Sequence, residues 1–340
     1  SGISGYYISV GSGAGLDDIV KDAWAASASY TYAGGLNGVT YYAKIKAKDN
    51  AGNIGSFGGN SDGTTGDISI PTRYTPVDHG TYSNRTGLFW YWPPSWDSPS
   101  GIKGYYLSIG TSYGANDTLA DFYTTATNYT LPDAADGTTY YCRIFAEDNA
   151  GNLGPYSASS DGITVDTTAP SDVVVFDEGD YSRSNTARKA TWTSALDEVS
   201  GVLDYWYAIG TTPNGTDIVS WTSLGGGTSV TKTGLSLVNG TTYYITVKAR
   251  NGSKLWTNLS GSDGITVDVT VPAASGPTDS GFYSITTSVT WTWNASFDFP
   301  SGIKGYYITI GTTVGGSDIV KDAWTPDAYY TFPSGQNGKT

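Results

Sequence analysis

The 340-residue sequence has one cysteine, one histidine and no methionine. A lone cysteine excludes an intrachain disulfide framework and a Cys-based zinc cluster. A lone histidine, His79, leaves any Ser-His-Asp or Cys-His site a single candidate base. Charged residues make up 14%, against the usual level of about 25%. The 18 Lys and Arg are scattered singly among 31 Asp and Glu. A formal charge of −13 argues against nucleic acid, because phosphate binding needs clustered basic side chains. No run reaches the length of about 18 apolar residues that a spanning helix needs, so no membrane insertion is expected. The chain opens inside a repeat with no basic and apolar leader before it. It therefore reads as a window on a longer polypeptide, with any signal, anchor or catalytic module expected outside it.

What is abundant is glycine, with 45 residues, and tyrosine, with 27. They recur in register. SGISGYYISVGS begins at Ser1, SGIKGYYLSIGT at Ser100, SGVLDYWYAIGT at Ser200 and SGIKGYYITIGT at Ser301, a repeat of about 100 residues, enough to bury one small core. DIVKDAW at Asp18 returns at Asp318, whereas the middle repeats read DTLADF and DIVSW. The first and fourth repeats are thus nearest kin, and a three-repeat superperiod is expected.

Alternation sets the secondary structure. Tyr41, Ala43, Ile45 and Ala47 point one way and Tyr42, Lys44, Lys46 and Lys48 the other, the period of a half-buried strand. The counterparts are Tyr140, Cys142, Ile144 and Ala146, then Tyr243, Ile245, Val247 and Ala249. Cys142 stands where Ala43 and Ile245 stand and reads as a core filler. Trp92, Trp192 and Trp293 each precede an aspartate by five residues, and then comes the SGI strand, in which Tyr105, Leu107 and Ile109 face inward. No segment keeps a 3.6-residue apolar period, and short strands with turn signals about every 8 to 12 residues indicate an all-β sandwich. SDGITVDTTAP ends at Pro170, SDGITVDVTVP at Pro272 and the looser SDGTTGDISIPTRYTP at Pro76. Proline cannot donate to a ladder, so domain borders are expected there: 1–76, 77–170, 171–272 and 273–340, the outer two cut by the window. Linkers this short predict a semi-rigid, extended row.

The Trp on the second strand, the alternating GYYLSI strand and GTTYYITVKARNG resemble fibronectin type III domains, and more narrowly the tandem fibronectin type III-like, Ig-like modules of large prokaryotic secreted and surface proteins. The resemblance covers the whole chain. It implies a β-sandwich and tyrosine-corner roles for Tyr41, Tyr140 and Tyr243. It does not fix an activity, because the family serves as spacers, adhesive modules and enzyme appendages alike.

Candidate chemistry is sparse. His79 has Glu178 and Ser280 as equivalents and reads as a loop position, and the recurring acids read as turn residues. Calcium is the alternative to that reading. DNAGN at Asp49 and Asp148 is expected at the pole that holds Asp97, Asp197 and Asp298, near the linkers bearing Asp166 and Asp268. With Asn149, these oxygens form a candidate set for a hard cation that stiffens a joint. The third repeat reads RNGSK, which places Arg250 and Asn251 where Asp148 and Asn149 stand. Asn84, Asn116, Asn128, Asn214, Asn239, Asn251, Asn258 and Asn294 lie in Asn-x-Ser/Thr sequons and are glycosylation candidates. Tyr7, Tyr106, Trp206 and Tyr307 fall on the outer side of the SGI strand. They are open to three readings: sugar platforms, cross-strand pairs or a face for neighbouring subunits.

These features predict a non-enzymatic structural segment of a long extracellular or cell-surface protein, a stalk, filament or sheath, with copies of itself or other surface components as partners. The alternatives are a carbohydrate-binding or adhesin module with a glycan ligand, and a spacer of a secreted enzyme. No cofactor is expected apart from the calcium alternative.

Overall fold

The computed structural model describes residues 2–333, among which every regular element is a strand. Among the described residues no helix is long and apolar enough to cross a membrane. The chain divides into two compact units, Ser1–Thr167 and Thr168–Thr340.

In the first unit β1 (Ile3–Gly11), β2 (Val20–Ala25), β3 (Thr40–Asp49) and β4 (Thr64–Thr65) form one antiparallel sheet in the order β2-β1-β3-β4. The second repeat contributes β5 (Tyr82–Ser83), β6 (Leu88–Tyr91), β7 (Ile102–Gly110), β8 (Leu119–Thr124), β9 (Asn128–Leu131), β10 (Thr139–Asp148) and β11 (Ile163–Val165). They make a sheet ordered β5-β11-β10-β7-β8 and a second sheet of β6 and β9, which Val77 extends by a bridge to Tyr91.

The second unit repeats the plan. Its strands are β12 (Val175–Phe176), β13 (Tyr181–Ser182), β14 (Ala187–Trp192), β15 (Val202–Gly210), β16 (Val219–Ser223), β17 (Ser229–Thr233), β18 (Thr242–Asn251), β19 (Ser260–Gly261) and β20 (Ile265–Val267). The sheet β12-β14-β17 faces β13-β20-β18-β15-β16, with β19 on β18. β21 (Pro277–Thr278), β22 (Val289–Trp293) and β25 (Tyr329–Phe332) form one further sheet, and β23 (Tyr306–Ile310) with β24 (Val320–Thr325) another. The pairs are antiparallel except the edge pairs β5 with β11 and β13 with β20. The fold is therefore all-β, with sandwiches of the fibronectin type III and Ig-like kind.

The alternating strands supply the cores. In the second repeat Leu88 and Trp90 of one sheet meet Leu107, Ile109, Cys142, Ile144 and Val165 of the other. In the third, Ala190 and Trp192 meet Tyr207, Ile209, Ile245, Val247 and Val267. The inward face expected of Ile45 turns out differently. Ile45 is 48% exposed while its counterpart Ile144 is 1% exposed, because among the described residues no second sheet covers β1 and β3.

Two tyrosine bonds recur. The hydroxyls of Tyr41, Tyr140 and Tyr243 accept from the backbone N–H of Leu36 (2.8 Å), Ala135 (3.0 Å) and Val238 (2.8 Å), five residues upstream. Those of Tyr105, Tyr205 and Tyr306 accept from Ser95, Ala195 and Ser296 at 2.9, 2.9 and 3.0 Å. Each satisfies a loop amide that no ladder reaches.

One glycine has a packing reason. A Cβ on Gly104 would lie 2.7 Å from the Tyr123 ring, and one on Gly5 2.4 Å from the Trp24 ring. In the third repeat Asp204 replaces this glycine, and Ser223 occupies the strand position of Tyr123 and Trp24. Asp204 then pairs with Arg250 at 2.9 Å, whereas the second repeat pairs Lys103 with Glu147 at 2.8 Å.

Burial pushes the Cys142 thiol up to about 12, so it should resist thiol reagents until the second repeat opens. Tyr140→Phe removes the bond to Ala135 and should cost about 1–2 kcal/mol. The labelling rate of Cys142 in the native chain should accordingly rise about five- to thirtyfold. An unchanged rate would show that the bond contributes nothing.

Candidate functional site

The densest polar arrangement lies where a linker meets the next repeat. In the first unit Asp67 follows β4, and its Oδ1 accepts from Ser69 N (3.0 Å) and Ser69 Oγ (2.6 Å) while Oδ2 accepts from Ser100 N (3.1 Å). The Ser69 hydroxyl also lies 2.8 Å from Ser98 O and 3.2 Å from Asp97 Oδ1, so one proton is shared among three acceptors. Asn152 donates through Nδ2 to Asp67 O (3.1 Å) and Asp148 Oδ2 (2.8 Å), and its N–H donates to Asp148 Oδ1 (2.8 Å). Further along, Thr72 N donates to Trp96 O (3.0 Å) and Trp96 N to Thr72 Oγ1 (2.7 Å). The linker is thus bonded to the following repeat at two places.

Oxygens of Asp67, Asp97 and Asp148 lie within 4.8 Å of one another. An all-oxygen set of this size suits a hard cation such as calcium, although Ser69, Ser100 and Asn152 already donate to several of its lone pairs. The same donors hold the Asp67 carboxyl down at about 2, Ser100 contributing most and Ser69 next.

The second unit carries a similar arrangement where the third linker meets the fourth repeat. Asp268 accepts from Thr270 Oγ1 (2.7 Å) and Ser301 N (3.2 Å), Thr270 Oγ1 reaches Phe299 O (2.7 Å), and Ser301 Oγ donates to Asp298 (3.2 Å). Bonds from Ser301 and Thr270 hold Asp268 at about 2 as well. Asp268, Asp298 and Arg183 line a groove of about 320 Å³. Asp166, at the end of β11, is buried and its N–H donates to Ser83 O. Asp197 accepts from Ser200 N and Gly201 N, both at 2.9 Å, and from Asn251 Nδ2 at 2.9 Å. Asn149 donates to Ser100 O.

The register corrects one sequence alignment. Asp148 lies opposite Ile102 as Asn251 lies opposite Val202, and Glu147 opposite Gly104 as Arg250 opposite Asp204. Asn251 therefore replaces Asp148, and Arg250 replaces Glu147. An amide donor stands where the second repeat has an acid.

Asp67, Ser69 and Asn152 were not among the sequence candidates. Aligning SDGTTGD with SDGITVD puts Asp67 on Asp166 and Asp268, and each of Asp67 and Asp268 is followed two residues on by a hydroxyl. That was the available signal.

Of the sequons, Asn84, Asn116, Asn128, Asn214, Asn239, Asn258 and Asn294 are exposed. Asn251 is fully buried, and its amide donates to Thr168 O and Asp197, which closes it to modification in the folded chain. The outward aromatics of the SGI strands are mostly engaged. Tyr106 stacks on Phe145 at 4.9 Å, Tyr7 meets Trp24 edge-on at 5.1 Å and Trp206 meets Trp256 at 5.8 Å. Lys248 sits between Trp221 and Trp256 at 4.3 and 4.2 Å. Tyr307 remains exposed.

Because Asp67 and Asp268 titrate below an unfolded carboxyl, their contribution to the joints is complete above about pH 4. It should be lost as pH falls through about 2. Carboxyl ¹³C shifts of both residues should show midpoints near that value. Midpoints at the ordinary 3.8 would mean that the serine and threonine donors do not hold these carboxylates in solution.

No protein-family profile matches the chain. It is similar to Exoglucanase B of Cellulomonas fimi, 31% identical over 274 residues, covering 75% of this chain and 22% of that protein. It is also similar to Chitinase A1 of Niallia circulans, 32% identical over 173 residues, covering 49% of this chain and 22% of that protein. The chain thus spans about a fifth of the length of these relatives. Among solved structures, the chicken CNTN1 FN1-FN3 domains align at 19% identity and a TM-score of 0.36, over 79% of this chain and 90% of that one.

Proposed function

We propose that this chain is a non-catalytic tandem-repeat region of an extracellular protein that works on polysaccharide, each repeat of about 100 residues being one module with borders at Pro76, Pro170 and Pro272. The observation that carries this reading is the extent of the similarity. Three quarters of the chain aligns with only 22% of a protein named for action on glucan, and half of it with 22% of a protein named for action on chitin. A repeat region appended to catalytic modules gives that pattern.

The chemistry of the described residues supports it. Cys142 is buried, His79 lies on an outer sheet face beside Phe89 and Tyr91, and the clustered acids are tied to turns and linkers. The bonded linkers suit a spacer that holds its neighbours in defined positions, which the stalk or filament reading also requires. The similarity to polysaccharide-degrading proteins favours the accessory role over a free-standing stalk.

The reading frame that carries these repeats should encode a glycoside-hydrolase module, and the 340-residue chain alone should release no reducing sugar from cellulose or chitin. A frame of these repeats end to end, closed by a wall anchor, would replace this reading with the stalk. Hydrolysis by the isolated chain would overturn both.

A further inference from the structure

One face of the second repeat is unlike its equivalents. Val77 pairs with Tyr91, and β6 pairs with β9 so that Tyr91 lies opposite Asn128 and Phe89 opposite Thr130. His79, two residues beyond Val77, falls beside Phe89, with ring centroids 5.5 Å apart and planes at 12°. Phe89 and Tyr91 are 6.3 Å apart at 25°, and His79 and Tyr91 6.2 Å apart at 36°. His79 and Tyr91 thus each lie within 25° of the Phe89 plane on the outer face, while Leu88 and Trp90 of the same strand fill the core. Val77 and Tyr91 are each 44% exposed, and His79, Asn128 and Thr130 are exposed too.

The other repeats show that the fold does not require this patch. The third places Glu178, Lys189 and Thr191 at the positions of His79, Phe89 and Tyr91, and the fourth places Ser280, Thr290 and Thr292 there. Those are ordinary solvated sheet surfaces. Exposed aromatics gathered on one repeat, with no core to fill, mark a contact surface.

The geometry points to a binding site for a neutral, β-linked pyranose chain on the outer face of β6 and β9 in the second repeat. Ring faces not turned toward one another can take the C–H faces of sugar rings. The Asn128 amide and the Thr130 hydroxyl on the neighbouring strand can hydrogen-bond sugar hydroxyls. The patch holds no Lys, Arg, Asp or Glu, which suits an uncharged ligand. The Val77 segment, β6 and β9, spaced about 4.8 Å apart, make it about 10 Å wide, the size of a disaccharide. The outward rings of the SGI strands differ, since Tyr7, Tyr106, Trp206 and Tyr307 recur in every repeat. This inference rests on the polysaccharide-accessory reading and gives it a location.

The test compares the 340-residue chain with a His79→Glu, Phe89→Lys, Tyr91→Thr variant, which imports the residues that the third repeat already carries at these positions. Both are titrated with cellohexaose and chitohexaose by calorimetry, and continued protection of Cys142 checks that the variant's second repeat is folded. The chain should bind at least one of the two sugars, and the variant at least tenfold more weakly. Binding of neither sugar at millimolar concentration overturns the site but leaves the accessory reading to the search for a hydrolase module. Equal binding by the variant overturns the site while keeping a sugar-binding role elsewhere on the chain. If sedimentation shows the chain self-associating through the patch without sugar binding, the surface is a contact between copies and the inference fails.

Discussion

A sheet with one apolar face has to be covered, and the rest of this structure follows from that requirement. In the second repeat Tyr105, Leu107 and Ile109 of β7 and Cys142, Ile144 and Ala146 of β10 all project to one side. Each large aliphatic side chain buried there contributes about 1.5–3 kcal/mol. The cover comes from Leu88, Trp90 and Trp92, which fixes the register of β6 and leaves its alternate residues outside. A strand that must present Leu88 and Trp90 inward presents Phe89 and Tyr91 outward, so the core of the second repeat also orients its aromatic patch.

The joints obey a different economy. Asp67 and Asp268 are acceptors only, and each uses both oxygens on hydroxyl and amide donors from its own linker and from the next repeat. A carboxylate gathers several such bonds, each stronger for its charge. The neighbouring acids, Asp97 and Asp298, are reached through the hydroxyls of the same serines, Ser69, Ser100 and Ser301. Where Asp148 is exchanged for Asn251, the amide donates to Asp197 directly. The joint therefore keeps its bonds while the number of acids changes.

The sequence showed the sandwich clearly because alternation and turn residues are local, and four copies in register reinforce them. It also showed which tyrosines stand at the corner positions, through resemblance. It was misleading where a short loop changes length or composition, as in the one-residue misalignment of Arg250 and Asn251. Asp67 escaped notice because the first linker, SDGTTGDISIP, departs from SDGITVD at the positions that make the other linkers recognisable. The patch of His79, Phe89 and Tyr91 escaped for a related reason. Its members come from one strand and a bend outside it, and only the pairing of Val77 with Tyr91 brings the histidine to the rings.

The exchange of Gly104 and Tyr123 for Asp204 and Ser223 bears on how such a gene can change. Near-identical repeats invite unequal crossing-over, yet a crossover between β7 and β8 would set a tyrosine ring against the Asp204 side chain, or leave Gly104 beside a serine with nothing laid over it. Exchanges at Pro76, Pro170 or Pro272 keep both strands of the hairpin from one parent. Lineages that lengthen or shorten the array are thus steered toward whole-repeat steps, and the copies diverge as linked pairs of strands rather than as independent positions.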